Sequence, residues 1–381
     1  MEEPTSIIVV LGSPVLWFAS IAPQKVKKDS GLIYIAQNAA RHPDSPLEPL
    51  FRALYIEYLS FDIHSTDVVS DRNNIRKFLS FVFGRAGVGN DIESFTIKIE
   101  VIKNIVILCR METATHEFIG PNEFRGFGHE FEKAYTVNQI KGSTGHHRII
   151  SYRFGGLNFI IRHETDGYVD DGIIMPSSCS KGKEIDSLSY ALGSLSLSIA
   201  YSNACLIPVA RSKLTVKQEG RVIPLESIIE IKTRVFHKPV SIEDIAPQLW
   251  TSQTPNLVRA YHRAGVFQQP QLEDVTAHIK RWEAYNQAHL KKLVALIEKL
   301  IIVVKSRGAM VLKYDPLGDK LVLSETEGAK MLPEDLYLKW KDKEQLEAEI
   351  DTKASAKTDA LQGEQLSVSK EVSNSGKHSR S

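Results

Sequence analysis

Cysteine is scarce in this sequence. The 381 residues include three cysteines, Cys109, Cys179 and Cys205, which lie far apart along the chain. So few and so scattered, they can form neither a disulfide framework nor a cysteine-rich zinc site. A chain without disulfides suits a reducing compartment, so we expect the protein in the nucleus or the cytoplasm.

An excess of either charge is also absent. The formal net charge is +1, from 47 Lys and Arg against 46 Asp and Glu. No global field therefore favours a polyanion, and a nucleic acid would have to be bound by a local basic surface. The composition, 43% hydrophobic and 24% charged, is that of an ordinary globular protein with enough apolar material for a large core.

Apolar runs long enough to cross a bilayer are missing as well. The main candidate, residues 7–19, is interrupted by Pro14 and follows Glu2 and Glu3 instead of the basic residues of a signal peptide. We therefore expect no signal peptide, no transmembrane segment and no membrane partner.

The composition changes near residue 343. Residues 350–381 contain no aromatic residue and few large apolar ones. Such a segment cannot bury enough surface to offset the conformational entropy that folding would cost. We predict a single domain over residues 1–342 and a disordered, low-complexity tail over residues 343–381.

Helical and strand patterns alternate along the predicted domain. Apolar residues spaced three and four apart predict a helix over residues 49–63 and one long helix or a helix pair over residues 274–305. Runs rich in β-branched residues predict strands such as 104–109 and 226–236. The expected fold class is α/β, with mixed β-sheets flanked by helices.

One predicted β-hairpin ends in an unusual pair of acids. Two β-rich runs between His147 and Glu164 are separated by the turn Gly155-Gly156. Glu164 and Asp166 close the second run two residues apart, so both side chains should point to one face. Two carboxylates at the end of a buried strand are costly unless a cation offsets their charge, and a divalent metal is one such cation.

Further charged residues complete a pattern around this pair. Glu132 falls on a predicted helix that begins near Gly126, and Glu230 and Lys232 share one face of a later predicted strand. A helix carboxylate, a strand Asp and then Glu-x-Lys is the order of a PD-(D/E)xK-type nuclease core. In such a site carboxylates hold Mg²⁺ or Mn²⁺, the metal activates a water for attack on a phosphate, and the lysine orients that water.

The same residues also permit plainer interpretations. The acids could be surface salt-bridge partners of Arg153, Arg162 and Arg234. The adjacent histidines His146 and His147 would point to opposite faces of a strand, which favours a solvated loop over a metal pair.

Four motifs in order resemble those of the eukaryotic decapping-nuclease family, which comprises DXO-like enzymes and the cofactor of the nuclear 5′–3′ exoribonuclease. They are Ile105-Val106-Ile107-Leu108-Cys109-Arg110, Gly128-His129-Glu130-Phe131-Glu132, Glu164-Thr165-Asp166 and Glu230-Ile231-Lys232-Thr233. A helix with Trp250 and Gln253 follows, as in the family. The resemblance covers roughly residues 95–325.

This resemblance implies a metal-dependent hydrolase of RNA 5′ ends, with decapping or pyrophosphohydrolase activity, alone or together with 5′–3′ exonuclease activity. It implies that two ions of Mg²⁺ or Mn²⁺ are held by four acids: Glu132, Glu164, Asp166 and Glu230. Asp166, Glu230 and Lys232 would be catalytic, while Arg110 and Gln253 would bind the substrate. The implied partners are an RNA 5′ end and a 5′–3′ exoribonuclease.

The chain departs from the family pattern at three places. The segment from Arg110 to Glu132 is short for the family. His129 replaces an aromatic residue, and Arg162-His163 precedes Glu164 where a glycine is usual. The sequence therefore resembles a diverged, fungal-type branch. Two other functions stay open: a catalytically inactive RNA-binding or exonuclease-docking module, and a nuclease acting on DNA.

Overall fold

The computed structural model describes residues 6–20, 23–84, 93–170, 206–208, 212, 214–326 and 330–340. The chain divides into two compact units, Met1–Pro333 and Glu334–Ser381. In the second unit the described part contains one short helix. The predicted tail over residues 343–381 lies outside the described residues, as do Cys179 and Cys205.

The elements are numbered here in chain order. The strands are β1 (Ser6–Gly12), β2 (Leu16–Trp17), β3 (Gln24–Lys25), β4 (Gly31–Tyr34), β5 (Val68–Asp71), β6 (Phe95–Ile102), β7 (Ile105–Met111), β8 (His116–Ile119), β9 (Thr136–Val137), β10 (His147–Phe154), β11 (Leu157–Glu164), β12 (Gly167–Tyr168), β13 (Leu206–Pro208), β14 (Leu214–Gly220), β15 (Ile228–Val235), β16 (Asn256–Arg263), β17 (Val266–Phe267), β18 (Gln271–Asp274), β19 (Met310–Asp315) and β20 (Lys320–Glu325). The α-helices are α1 (Gln37–Arg41), α2 (Glu48–Glu57), α3 (Arg72–Phe83), α4 (Gly128–Tyr135), α5 (Ile242–Ser252), α6 (Thr276–Tyr285), α7 (Gln287–Arg307) and α8 (Glu334–Leu338).

Two large mixed sheets dominate the first unit. The first contains seven strands in the order β10-β11-β5-β7-β6-β19-β20. The second contains β3-β17-β16-β15-β12-β2-β9, with β18 paired to β16. Parallel pairs such as β5–β11 and β15–β16 stand beside antiparallel pairs such as β10–β11. The α/β fold class with mixed sheets and flanking helices is therefore confirmed.

The seven-stranded sheet is covered by α3 and α7. In α3 the buried residues Ile75, Phe78 and Leu79 recur three and four apart, and Gly84 ends the helix with a positive φ of 74°. They pack in one apolar cluster with α7 residues such as Leu293 and Ile297. This packing places the first residue of α3, Arg72, near the ends of the central strands.

The second sheet is covered by α4. Phe131 and Tyr135 of α4 are fully buried and stack on each other, with ring centroids 4.2 Å apart. They belong to one apolar cluster with Ile229 and Ile231 of β15. The predicted alternation of β15 is thus confirmed, because its isoleucines enter the core while Glu230 and Lys232 point to the opposite face.

Of the two alternatives predicted for residues 274–305, the structure has the helix pair, α6 and α7, which meet at Asn286. One boundary differs from the sequence-based predictions. The predicted helix 49–63 ends at Glu57, where Tyr58 takes a non-helical conformation and closes the last turn on Leu54. Within the described ranges, no helix is both long and apolar enough to cross a membrane.

Candidate functional site

The chain passes from one large sheet to the other between Glu164 and Gly167. Glu164 is the last residue of β11, and Asp166 immediately precedes β12, which pairs with β15 of the second sheet. The two acids therefore stand where the sheets meet. The Asp166 carboxylate accepts a hydrogen bond from the Ile231 backbone N–H at 2.7 Å, which ties the crossing point to β15.

Glu230 is surrounded by donors. Its Oε1 accepts a hydrogen bond from the Lys232 ammonium at 2.6 Å, and its Oε2 accepts one from the Arg72 guanidinium at 3.1 Å. The buried Gln248 amide on α5 also donates to Oε1. Burial alone would raise the pKa of Glu230, but the charges of Lys232 and Arg72 outweigh it and hold the pKa at about 2.

The other three acids are close enough to influence one another. The pKa of Glu132 is raised well above its ordinary value. Burial is the largest cause, and repulsion from Asp166 and Glu164 adds to it. Burial and the charge of Glu230 raise the pKa of Asp166 to about 7. Burial likewise raises the pKa of Glu164, although this side chain keeps access to solvent. We call Glu132, Glu164, Asp166 and Glu230 the acid cluster.

Cavities adjoin the acid cluster on two sides. One, of about 240 Å³, is lined by Glu132 and Lys232 together with residues at the start of α5. The other has a similar volume of about 240 Å³ and contains Glu164 in its wall. Four arginines line this second cavity, which we call the arginine cavity: Arg72, Arg76, Arg110 and Arg162.

Arg110 lies at this arginine cavity. Its guanidinium pairs with Glu112 and donates to the Ile35 carbonyl at 3.2 Å. The neighbouring Arg76 is partly buried and has neither an ion pair nor a hydrogen bond within the described part of the chain. The structure thus places Arg110 beside the acid cluster and adds an arginine that sequence reasoning did not single out.

Gln253 lies at the end of α5, away from the contacts of Glu230. It takes a left-handed conformation with a φ of 53°, and its amide donates to the Trp250 carbonyl at 2.5 Å. The glutamine that contacts Glu230 is Gln248, one and a half turns earlier on the same helix. The sequence has two glutamines near Trp250. Their positions around the axis of α5, which only the structure shows, decide that Gln248 and not Gln253 faces Glu230.

The ion pairs of the site also differ from the surface pairs that the sequence permits. Arg162 forms a bidentate pair with Asp71, at 2.7 and 3.0 Å, and does not pair with Glu164 or Asp166. The guanidinium that reaches Glu230 is that of Arg72, 158 residues away along the chain. No local sequence signal links these two residues.

The acid cluster fits a divalent cation by its chemistry. Its donors are all oxygens, which suit Mg²⁺ or Mn²⁺, and neither Glu132 nor Glu164 forms an ion pair within the described ranges. In those ranges, however, no three His, Cys, Asp or Glu side chains are placed to hold one ion together. Glu230 already accepts three hydrogen bonds, two at Oε1 and one at Oε2, so most of its acceptor capacity is in use.

Comparisons with known proteins concern both family and fold. Residues 2–315 match the model of a family described as Domain of unknown function (DUF8563). A comparison with curated proteins finds no match.

Solved structures of Rai1 share the fold. Scheffersomyces stipitis Rai1 in complex with (3′-NADP)+ and calcium ion is 12% identical, with 87% of this chain and 88% of that chain covered and a TM-score of 0.52. A second S. stipitis Rai1 structure is 12% identical, with coverage of 86% and 90% and a TM-score of 0.51. Candida albicans Rai1 in complex with pU5-Mn2+ is 13% identical, with coverage of 86% and 97% and a TM-score of 0.48. The motifs implied the fold of the decapping-nuclease family, and the two S. stipitis structures confirm that fold.

Proposed function

This chain belongs to the family described as Domain of unknown function (DUF8563), and we propose that it is a divalent-metal-dependent hydrolase acting on RNA 5′ ends. The reaction would be decapping or pyrophosphohydrolysis. The observation that carries the proposal is the acid cluster, in which carboxylates from α4, β11, the crossing segment and β15 influence one another and Glu230 accepts a hydrogen bond from Lys232. The S. stipitis Rai1 fold adds support, because the structure of that protein holds a nucleotide and a calcium ion.

In this proposal Glu132, Glu164, Asp166 and Glu230 hold Mg²⁺ or Mn²⁺. A divalent cation bound there would polarise the phosphate and lower the pKa of a bound water. The burial of the acids favours cation binding, because desolvated carboxylates that repel one another are stabilised by an opposite charge.

Lys232 and the arginines act on the substrate. The Lys232 ammonium stands 2.6 Å from Glu230 and 29% of the side chain is exposed, so it can reach a phosphoryl oxygen or the attacking water. Arg76 and Arg110 line the arginine cavity next to Glu164, where planar guanidinium groups suit the oxygens of a terminal phosphate.

The test is hydrolysis of 5′-triphosphate, capped and 5′-monophosphate RNA by the purified protein with Mg²⁺ or Mn²⁺. We expect product from at least one of these RNAs, and at least a hundredfold slower product formation with Asp166→Asn combined with Glu230→Gln. The matched control is Glu226→Gln, which changes an exposed acid four residues before Glu230. Absence of product from all three RNAs, or equal rates for wild type and the double variant, would overturn the proposal.

A second candidate is a catalytically inactive module that binds RNA or docks a 5′–3′ exoribonuclease. It is favoured by the contacts of Glu230, whose two oxygens are already engaged by Lys232, Arg72 and Gln248. Calorimetric titration with Mn²⁺ separates the two candidates. Heat of binding that disappears in Asp166→Asn supports the hydrolase, whereas RNA binding without any Mn²⁺ binding supports the module.

A further inference from the structure

A larger cavity continues beyond the arginine cavity. Its volume is about 510 Å³, and its walls are β1, α1, α2, the segment 140–149 and the turn after β14. It shares Gln37, Asn38, His147 and Arg162 with the arginine cavity, so the two are adjacent. A volume of this size lies in the range of pockets that bind nucleotide-sized molecules. We call it the cationic cavity.

Its charge is strongly biased. Six cationic side chains line it: Arg41, Lys141, Arg148, Arg162, Lys217 and Arg221. Among the described lining residues Glu57 is the single acid. Three of the six cations have acidic partners, since Arg162 pairs with Asp71, Lys217 with Glu219 and Arg221 with Asp170. The remaining excess of positive charge favours an anionic ligand.

Arg148 is a partly buried cation in the lining of this cavity. One of its terminal nitrogens donates to the Ile223 carbonyl at 2.9 Å. Its Nε is buried and has no hydrogen-bond partner within the described residues. Because solvent does not reach this Nε, the groups of Arg148 that a bound phosphate could engage are its terminal nitrogens, and Arg148 forms no ion pair within the described residues.

Part of the cavity lining is apolar. Val10, Leu50, Leu54 and Ile223 contribute buried side chains to it, with exposures of 1% to 6%. Hydrogen-bonding groups of Gln37 and Asn38 lie at the boundary with the arginine cavity. A ligand that fits therefore combines a phosphate, an apolar or planar face and polar edges, which is the chemistry of a nucleoside phosphate.

We propose that the cationic cavity binds a nucleoside phosphate, with the phosphate at Arg148 and the nucleoside against the wall of Leu50 and Leu54. The nucleotide has two possible sources. It is either the next residue of an RNA whose end lies at the acid cluster, or a free mononucleotide. This binding does not depend on the proposed hydrolase activity, since it needs neither metal nor turnover.

The experiment is a calorimetric titration of the full-length protein with adenosine 5′-monophosphate in EDTA, which removes any contribution of divalent metal. We expect Arg148→Gln to weaken binding at least tenfold, and Arg153→Gln, an exposed arginine on the same strand, to leave it unchanged. Ala53→Phe narrows the cavity without removing charge and should also weaken binding. Unfolding midpoints equal to that of wild type show that the variants are folded.

A parallel titration with 5′-phosphorylated oligoribonucleotides of one to five residues distinguishes the sources. If affinity rises with the second and third residue and Arg148→Gln removes that rise, the cavity holds the RNA chain. If the mononucleotide binds as tightly as the oligomers and does not compete with them, the cavity holds a free nucleotide. Binding that is equal in wild type, Arg148→Gln and Ala53→Phe would overturn the proposal, as would inorganic phosphate binding as tightly as the mononucleotide.

Discussion

Glu230 is the residue whose charge this site controls most closely. Its side chain is 4% exposed, a burial at which a carboxylate without partners would take up a proton. Lys232 and Arg72 prevent this and hold its pKa at about 2, so Glu230 is ionised throughout the physiological range. The negative charge that could attract a metal is thus maintained by two cations before any metal binds.

Replacement of Lys232 tests this arrangement. We expect Lys232→Met to slow RNA hydrolysis at least a hundredfold, because an ammonium beside the reacting phosphate is lost. We also expect a loss of about 1–3 kcal/mol in the free energy of unfolding, because Glu230 keeps only Arg72 and Gln248. Urea unfolding and single-turnover hydrolysis measure the two effects. Lys238→Met, at an exposed position beyond the end of the same strand, is the control, and a rate within twofold of wild type for Lys232→Met would contradict the assigned role.

Three histidines near the site are held neutral by burial. The pKa falls to about 4 for His146 and to about 3 for His147 and His163, in each case mainly because burial disfavours the charged ring. The loop predicted for His146 and His147 is present at His146, which precedes β10, and both side chains are partly buried. His147 begins β10, and its Nε2 lies 3.1 Å from the Asn38 amide nitrogen.

These histidines should make the protein sensitive to acid. A pKa that is lower in the folded than in the unfolded chain contributes stability that is complete above pH 6.5 and is lost as the pH falls towards the folded value. For His163 we expect a loss of about 2 kcal/mol between pH 7 and pH 5. We define the acid sensitivity as the unfolding free energy at pH 7 minus that at pH 5. In His163→Gln this quantity should be smaller than in wild type by about 2 kcal/mol. It should stay the same in the control His237→Gln, since His237 is exposed.

At the scale of elements, the β10–β11 hairpin organises the site. It pairs over eight residues, from His147–Glu164 to Phe154–Leu157, and its turn contains two glycines with positive φ, Gly155 at 59° and Gly156 at 87°. The hairpin was predictable because alternation and a Gly-Gly turn are local signals. Its packing against α7 was not predictable, because it depends on a helix about 130 residues later.

The two turn glycines allow a matched comparison. A Cβ at Gly155 would lie 2.2 Å from Val294 Cγ2 on α7, whereas a Cβ at Gly156 meets nothing within 4 Å. Both alanine variants cost about 1 kcal/mol of backbone strain, because both residues take a positive φ. Gly155→Ala should lose about 1–3 kcal/mol more through overpacking. Equal unfolding free energies for the two variants would show that the hairpin does not pack on α7 as described.

At the scale of the whole chain, the question is which residues the protein needs in order to fold and act. We propose that residues 1–342 suffice for folding and activity, and that the tail over residues 343–381, which lies outside the described residues, contributes to neither. A chain ending at Asp342 should keep the full-length melting temperature within about 2 °C and should hydrolyse RNA at the same rate.

The control fragment ends at Gly308. It lacks β19, which pairs with β6 inside the seven-stranded sheet, and β20, which pairs with β19. Circular dichroism should show this fragment to be largely unfolded. A marked decrease in the melting temperature of the chain ending at Asp342 would instead mean that the tail stabilises the folded protein.

The sequence by itself determined the elements and the residue types of the site. Periods of two and 3.6, a Gly-Gly turn and a Glu-x-Lys strand arise from neighbours within a few residues, so they can be read without knowledge of the fold. That local signal was enough to place Glu132 on a helix, Glu164 at the end of a hairpin arm, and Glu230 and Lys232 on one face of a strand.

Only the tertiary structure decided which side chains these acids meet. Arg72 reaches Glu230 because α3 packs on the seven-stranded sheet, and Gln248 reaches it because of the helical phase of α5. The low pKa of His163, the lack of a partner for Arg76 among the described residues, and the cationic cavity likewise depend on burial between elements that are distant in the chain. The charge and solvation of a site come from all surrounding elements at once, so no local pattern can specify them.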